Sequence, residues 1–276
     1  MPKWLLPVGR WLYAIGLGSI GLMHLFFMNF PWVVIPEYPA WLPLRLLWVL
    51  VIGAALVGAG VSILFNLRGR KVAAWTGVGL LALVLIAHVP NQLTGKYAAV
   101  LGAWTNTLKE MALAGGAWMA ALSFGDEGAE PPEWLERALP LGRYLFAAML
   151  VIFGVDHFLY PKFVASLVPG WVGGAMFWTY FAGVALITGG LGMLVKRVAW
   201  LASLMVGVMI FLWVLMLHIP RAIADPYTYV GNEWASVFEA LAFSGMAFML
   251  AVMSRQQSAQ TIAGDRKAAI AGGLSG

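Results

Sequence analysis

Apolar runs of about twenty residues, the length that crosses a ~30 Å hydrocarbon layer, recur along the whole chain with only short polar or proline-rich breaks between them. They predict eight spanning helices, over 11–29, 44–66, 72–89, 103–123, 144–160, 174–195, 198–218 and 234–253. Pro31, Pro36, Pro39 and Pro43 punctuate the connection after the first, and Pro169 the one after the fifth. Pro90 and Pro220 mark the ends of the third and seventh, each two residues past a histidine. Composition agrees, since 62% of the 276 residues are hydrophobic and only 11% are charged, too few to clothe a soluble domain. The predicted class is all-α and integral to a membrane, with the lipid bilayer as partner and no role for nucleic acid.

The pattern repeats. "GRWLYAIGLGSIGLMH" pairs with "GRYLFAAMLVIFGVDH", "AHVP" with "LHIP", and "KEMALAGGAW" with "FEALAFSGMAF". This self-similarity predicts tandem four-helix bundles. Residues 1–125 form the first repeat and 143–254 the second. Between them, 126–142 is an acidic cytoplasmic linker whose "PPEWLERAL" forms a short interfacial helix, and 255–276 is a flexible cytoplasmic tail. An even number of helices per half makes the halves parallel, related by a pseudo-two-fold axis along the membrane normal. One set of loops holds Lys3, Arg10, Arg68, Arg70, Lys71, Arg137, Arg143, Lys196, Arg197, Arg255, Arg266 and Lys267, against Arg45, Lys96, Lys109, Lys162 and Arg221 on the other side. Both termini are therefore expected in the cytoplasm, with the chain in a bacterial-type inner membrane. The N-terminal run has a basic start but no small-residue cleavage site, so it reads as a retained first helix.

Chemistry enters through a few polar residues inside the apolar runs. His24 lies about 21 Å along the first helix from Arg10, and Glu110 about 10 Å down the fourth from the opposite face. His88 sits slightly higher. The second half rebuilds the set with His157, His218 and Glu239, and adds Asp156. A charge in the bilayer core costs about 2.5–3.5 kcal/mol on the lenient insertion scale, so such residues face a bundle interior and pair there. The expectation is two equivalent outward-facing clusters, each binding a ligand or relaying protons, with Asn91, Arg221 and Tyr229 at the mouth. Purely structural interhelical hydrogen bonds are the competing reading. Two histidines and a carboxylate also suit a metal, at His24, His88 and Glu110 or at His157, His218 and Glu239, but three separate helices carry no diagnostic spacing, and metal is not favoured. A b-type haem is disfavoured by unequal heights of the histidines.

Other features narrow the field. The absence of cysteine excludes disulfides, thiol relays, iron–sulfur clusters and c-type haem. "GLGSIG" at 16–21 sits inside a spanning helix with no strand before it, so it is no dinucleotide site. Its glycines, like those of "GAALVGAG" and "ITGGLGML", predict close helix packing. Trp4, Trp32, Trp41, Trp171 and Trp234 fit interfacial belts.

The run "GRYLFAAMLVIFGVDHFLYPKFVASLVPGWVGGAMFWTYFAGVALITGGLGML", with "VLMLHIPRAIADP" and "NEWASVFEALAFSG", resembles the DoxX-like membrane proteins. The first half is similar to them as a more divergent copy, with Met23 where the second has Asp156. The resemblance implies a membrane component near quinone-linked redox chemistry, within a larger membrane redox complex. It names no catalytic residue, and whether the chain is an enzyme stays open. The functional expectation is a redox accessory with an outward-facing His/Glu pocket for a quinone or similar small molecule. The alternatives are a non-enzymatic structural or assembly subunit and a small-molecule transporter.

Overall fold

The computed structural model describes residues 1–36, 38, 42–124 and 130–273, with side chains as far as Gln260. Pro39, Trp41, the acidic start of the predicted linker at 126–129, and the side chains of Arg266 and Lys267 lie outside the described residues. All regular structure among the described residues is helical: α1 (Leu5–Phe27), α2 (Arg45–Leu64), α3 (Gly69–Thr94), α4 (Thr105–Ser123), α5 (Glu133–Ala138), α6 (Gly142–Leu159), α7 (Pro161–Leu167), α8 (Ala175–Leu194), α9 (Ala199–Ala224) and α10 (Thr228–Gly273), the last kinked near its start where Tyr229, Val230 and Gly231 are left-handed. The last extends past the span read from hydropathy.

Among the described residues, seven helices are long and apolar enough to cross a bilayer. The predicted eighth, α4, is not among them, because its first two turns carry Thr105, Asn106, Thr107, Lys109 and Glu110. It is instead an enclosed helix, with every residue from Ala112 to Ala121 buried. A helix shielded by its neighbours needs little hydropathy of its own, since protein and not lipid is what it touches.

The helices do not close into separate bundles. α1 lies along α2 and α10, while α4 lies along α3 and α6. α10 also packs on α9 and, over a shorter stretch, on α4. The first helix of each half is thus flanked by the last helix of the other, and α6 barely touches α10. The four-helix units expected from the repeat thus pack into one another as well as within themselves. Glycine sets the crossings: a methyl group at Gly9 would stand 2.8 Å from the carbonyl of Gly245, and one at Gly115 only 2.6 Å from that of Gly142. Within the halves, Gly21 meets Gly53 and Gly154 meets Gly183, each at 2.7 Å by the same measure. The sequence-based reading of glycines as packing positions holds at Gly16, Gly21, Gly53, Gly60, Gly154 and Gly190 and fails at Gly58, where nothing lies within 4 Å of an added methyl group. Expressed separately, residues 1–125 and 143–254 are expected to aggregate in detergent, and to give a monodisperse complex only when co-expressed. Size-exclusion chromatography of the pieces checks this.

The helix α5 forms where "PPEWLERAL" predicted one, and it is tied to the protein rather than floating at the surface. Leu135 and Leu139 are fully buried. Arg70 donates to both oxygens of Glu136, at 2.7 and 2.8 Å, and Trp134 meets Trp75 edge-on.

Candidate functional site

Two histidines of each half stand on the same backbone devices. His24 and His157 each donate Nδ1–H to the carbonyl four residues back, Ile20 at 2.8 Å and Phe153 at 2.6 Å. His88 and His218 each end a π-helical turn, Val84–His88 and Val214–His218. Such turns widen a helix by one residue per turn and recur at functional sites. Each is followed by a proline whose missing N–H relaxes the hydrogen-bond ladder there.

What the imidazoles face differs between the halves. After α1 the chain turns back on itself, with Met28 left-handed and the side chain of Asn29 accepting from the amide of Phe30 at 2.8 Å. Arg45 donates to the same Asn29 oxygen. Val34 and Ile35 then donate their amides to the Pro31 carbonyl, at 3.0 and 3.2 Å. Phe30, Val33, Val34 and Ile35 are all buried. His24 meets the Phe30 ring edge-on at 5.6 Å, and Phe30 stacks on Tyr38. His88 Nε2 donates to the Val34 carbonyl at 3.0 Å. The first half's histidines therefore hold a plug made from the protein's own loop. Pro31, Pro36 and Pro43 are why this segment forms no helix.

In the second half the same connection becomes α7, with Pro161 at the first helical position, where its lost donor is harmless. Left-handed Gly173 and Gly174 then return the chain to α8. The helix α7 roofs a cavity of about 600 Å³. Its floor and walls are Met149, Leu150, Phe153, Leu186, Trp213 and Phe243; its polar rim includes Asp156, His157, His218, Arg221, Glu233 and Glu239. The space exists because α6 and α10 stand apart, and α4 closes the gap with Thr105 and Lys109.

No hydrogen bond or ion pair joins an imidazole to a carboxylate among the described residues. The expected His–Glu pairs are replaced by others. Glu239 is paired across the seam with Lys109 of α4, at 2.7 Å. Glu233 accepts two hydrogen bonds from Arg221, at 2.9 and 2.7 Å. Glu110, fully buried on α4, has no hydrogen-bond partner for either oxygen and does not line the cavity. Asp156 Oδ1 is likewise buried and unpartnered, and Asp156 is among the residues that line the cavity. The structure so brings Asp156, His157, His218 and Glu239 to one cavity, while His24 and His88 stand against the plug. Arg221 and Tyr229 reach the cavity as expected; Asn91 does not. Among the described residues, no three His, Asp or Glu side chains are grouped to hold a metal ion.

Compared with protein-family models, curated proteins and solved structures, the chain matches none.

Sequence reasoning missed Lys109 as a site residue, counting it only as a loop-side charge. Its signal was its position in a helix, directly before Glu110: two adjacent charges point about 100° apart, so one of them must address a second partner. Trp178, Trp213 and Thr179 were also missed, since nothing in their apolar context distinguishes a cavity wall from a lipid face.

Proposed function

We propose that this chain is a DoxX-like accessory of membrane redox chemistry, built by tandem duplication, that holds a quinone or similar amphipathic small molecule in its second half. In this reading α4 is an eighth spanning helix, the halves run parallel, and both termini are cytoplasmic in an inner membrane. The cavity then opens toward the outer side. The observation that carries the reading is the cavity itself. Its volume of about 600 Å³ lies within the ~300–1,000 Å³ range of small-molecule sites, and an apolar floor under a few convergent polar groups is the usual make-up of such sites. An apolar tail suits Leu150, Leu186 and Phe243, and a polar head suits the rim at Asp156, His157 and His218.

Protein extracted from native membranes in mild detergent is expected to carry about one quinone per chain, as one such cavity would hold. Chromatography of its lipid extract measures this. Trp213→Leu together with Asp156→Asn is expected to lower the bound amount about tenfold, a 1.4 kcal/mol change. Wild-type protein with no bound molecule, and with no binding of added quinone, overturns the reading.

A further inference from the structure

We infer that the Phe30–Ile35 plug is an internal stand-in for the ligand of the second half, and that the cavity takes a neutral flat ring bearing a carbonyl, with His218 donating Nε2–H to that carbonyl and His157 against the ring. This rests on the small-molecule reading above and specifies the chemical class and the contacts.

The two halves frame their histidines alike. His24 and His157 both follow a glycine by three residues, Gly21 and Gly154, and both spend Nδ1–H on their own helix. His88 and His218 both close a five-residue π-helical turn. In the first half, what fills the space between them is an aromatic ring and a carbonyl oxygen. The Phe30 ring lies 5.6 Å from His24 at an interplanar angle of 86°, and the Val34 oxygen accepts from His88 at 3.0 Å. In the second half the corresponding chain is lifted away as α7, and His157 and His218 line an open cavity. The His218 side chain makes no hydrogen bond among the described residues. A donor held where its counterpart binds a carbonyl is placed to give its N–H to an acceptor on a bound ligand.

Charge decides for a neutral ligand. The two cations on the wall are matched inside the protein, Lys109 by Glu239 and Arg221 by Glu233. Neither is left to neutralise an anion. A hydroxyl on the same ring finds acceptors in His157 Nε2, whose partner nitrogen already carries the proton, and in the Asp156 carboxylate on the same wall. Phe153, Trp178 and Trp213 supply aromatic walls in the role that Tyr38 plays against Phe30.

The test is equilibrium dialysis of the purified full chain in detergent, corrected for detergent alone, with 2-methyl-1,4-naphthoquinone and with 2-methylnaphthalene, which has the ring without the carbonyls. Wild type is expected to bind the quinone about tenfold or more tighter, as a donor that must be matched discriminates against a ligand lacking the acceptor. His218→Ala is expected to remove that preference. His218→Gln, which keeps an N–H donor, is expected to restore part of it, and both variants should elute as wild type does on size exclusion. Equal affinity of wild type for both rings, or a preference unchanged in His218→Ala, overturns this inference and leaves the cavity a binding site of other chemistry. Binding of neither ring overturns this inference, and the quinone reading with it.

Discussion

Replacing Lys109 by methionine is expected to destabilise the protein by about 3–5 kcal/mol, the usual loss when one partner of a buried ion pair is removed. The Lys109 side chain is 18% exposed and that of Glu239 only 3%, so solvent cannot take over the lost partner's role. The substitution also leaves Glu239 and Glu110 as carboxyl groups on packed faces of adjoining helices with no cation between them. Their cost is desolvation, which methionine does nothing to relieve. Adding Glu239→Gln to Lys109→Met is expected to recover more than half of the loss, because the unmatched charge is then gone. Thermal unfolding of the detergent-solubilised protein, followed by tryptophan fluorescence, measures both. A loss under about 1 kcal/mol for the single variant, typical of exposed pairs, would mean that water reaches the seam between α4 and α10.

The second large effect is steric. Gly115→Val places a Cβ 2.6 Å from the Gly142 carbonyl and 3.1 Å from Leu145 Cβ. The near neighbour is backbone, which cannot rotate away, so α4 and α6 must separate. A loss of about 3 kcal/mol, the upper end for overpacked cores, is expected. Gly58→Ala is the contrast: nothing lies within 4 Å of its added methyl group, and a helical glycine replaced by alanine should gain about 0.5–1 kcal/mol. Parallel melts of the two variants against wild type decide. Because Gly115 and Gly142 join the two halves, Gly115→Val should also weaken the co-expressed pieces more than the intact chain. The covalent linker keeps the partners at high effective concentration in one case only.

How much of this was legible can be seen at particular residues. The lengths of α2 and α8 follow directly from their apolar runs, and the short α5 from its amphipathic stretch between prolines and glycine, whereas α1 starts six residues before its predicted span and α9 ends six residues after. The π-helical turns at His88 and His218 left no trace except the proline two residues later. Glu110 was read as part of a polar cluster because depth along a helix can be counted. Which way it points across the bundle cannot be, and it faces a packed seam instead of the cavity. Likewise Asp156 and His157 were read as neighbours of a polar site, but their partners were not, since hydrogen bonds to Phe153 or across to a ligand look identical in sequence.

Hydrophobic run length, proline placement and the recurrence of Gly-Arg, His-Pro and Glu-Ala signals belonged to the sequence alone, because each reflects the local energetics of a helix in an apolar medium. Two matters were decided only in three dimensions. Which last helix lies against which first helix is degenerate when both halves carry similar small-residue faces, and close packing chose the exchange of α10 and α4. Whether a histidine pair meets an open cavity or a plug depended on one connecting segment. Multiple prolines sent Phe30–Ile35 inward, whereas a single N-terminal proline let Pro161–Leu167 coil into a roof, and that difference becomes a site only once the surrounding helices have left a gap to fill.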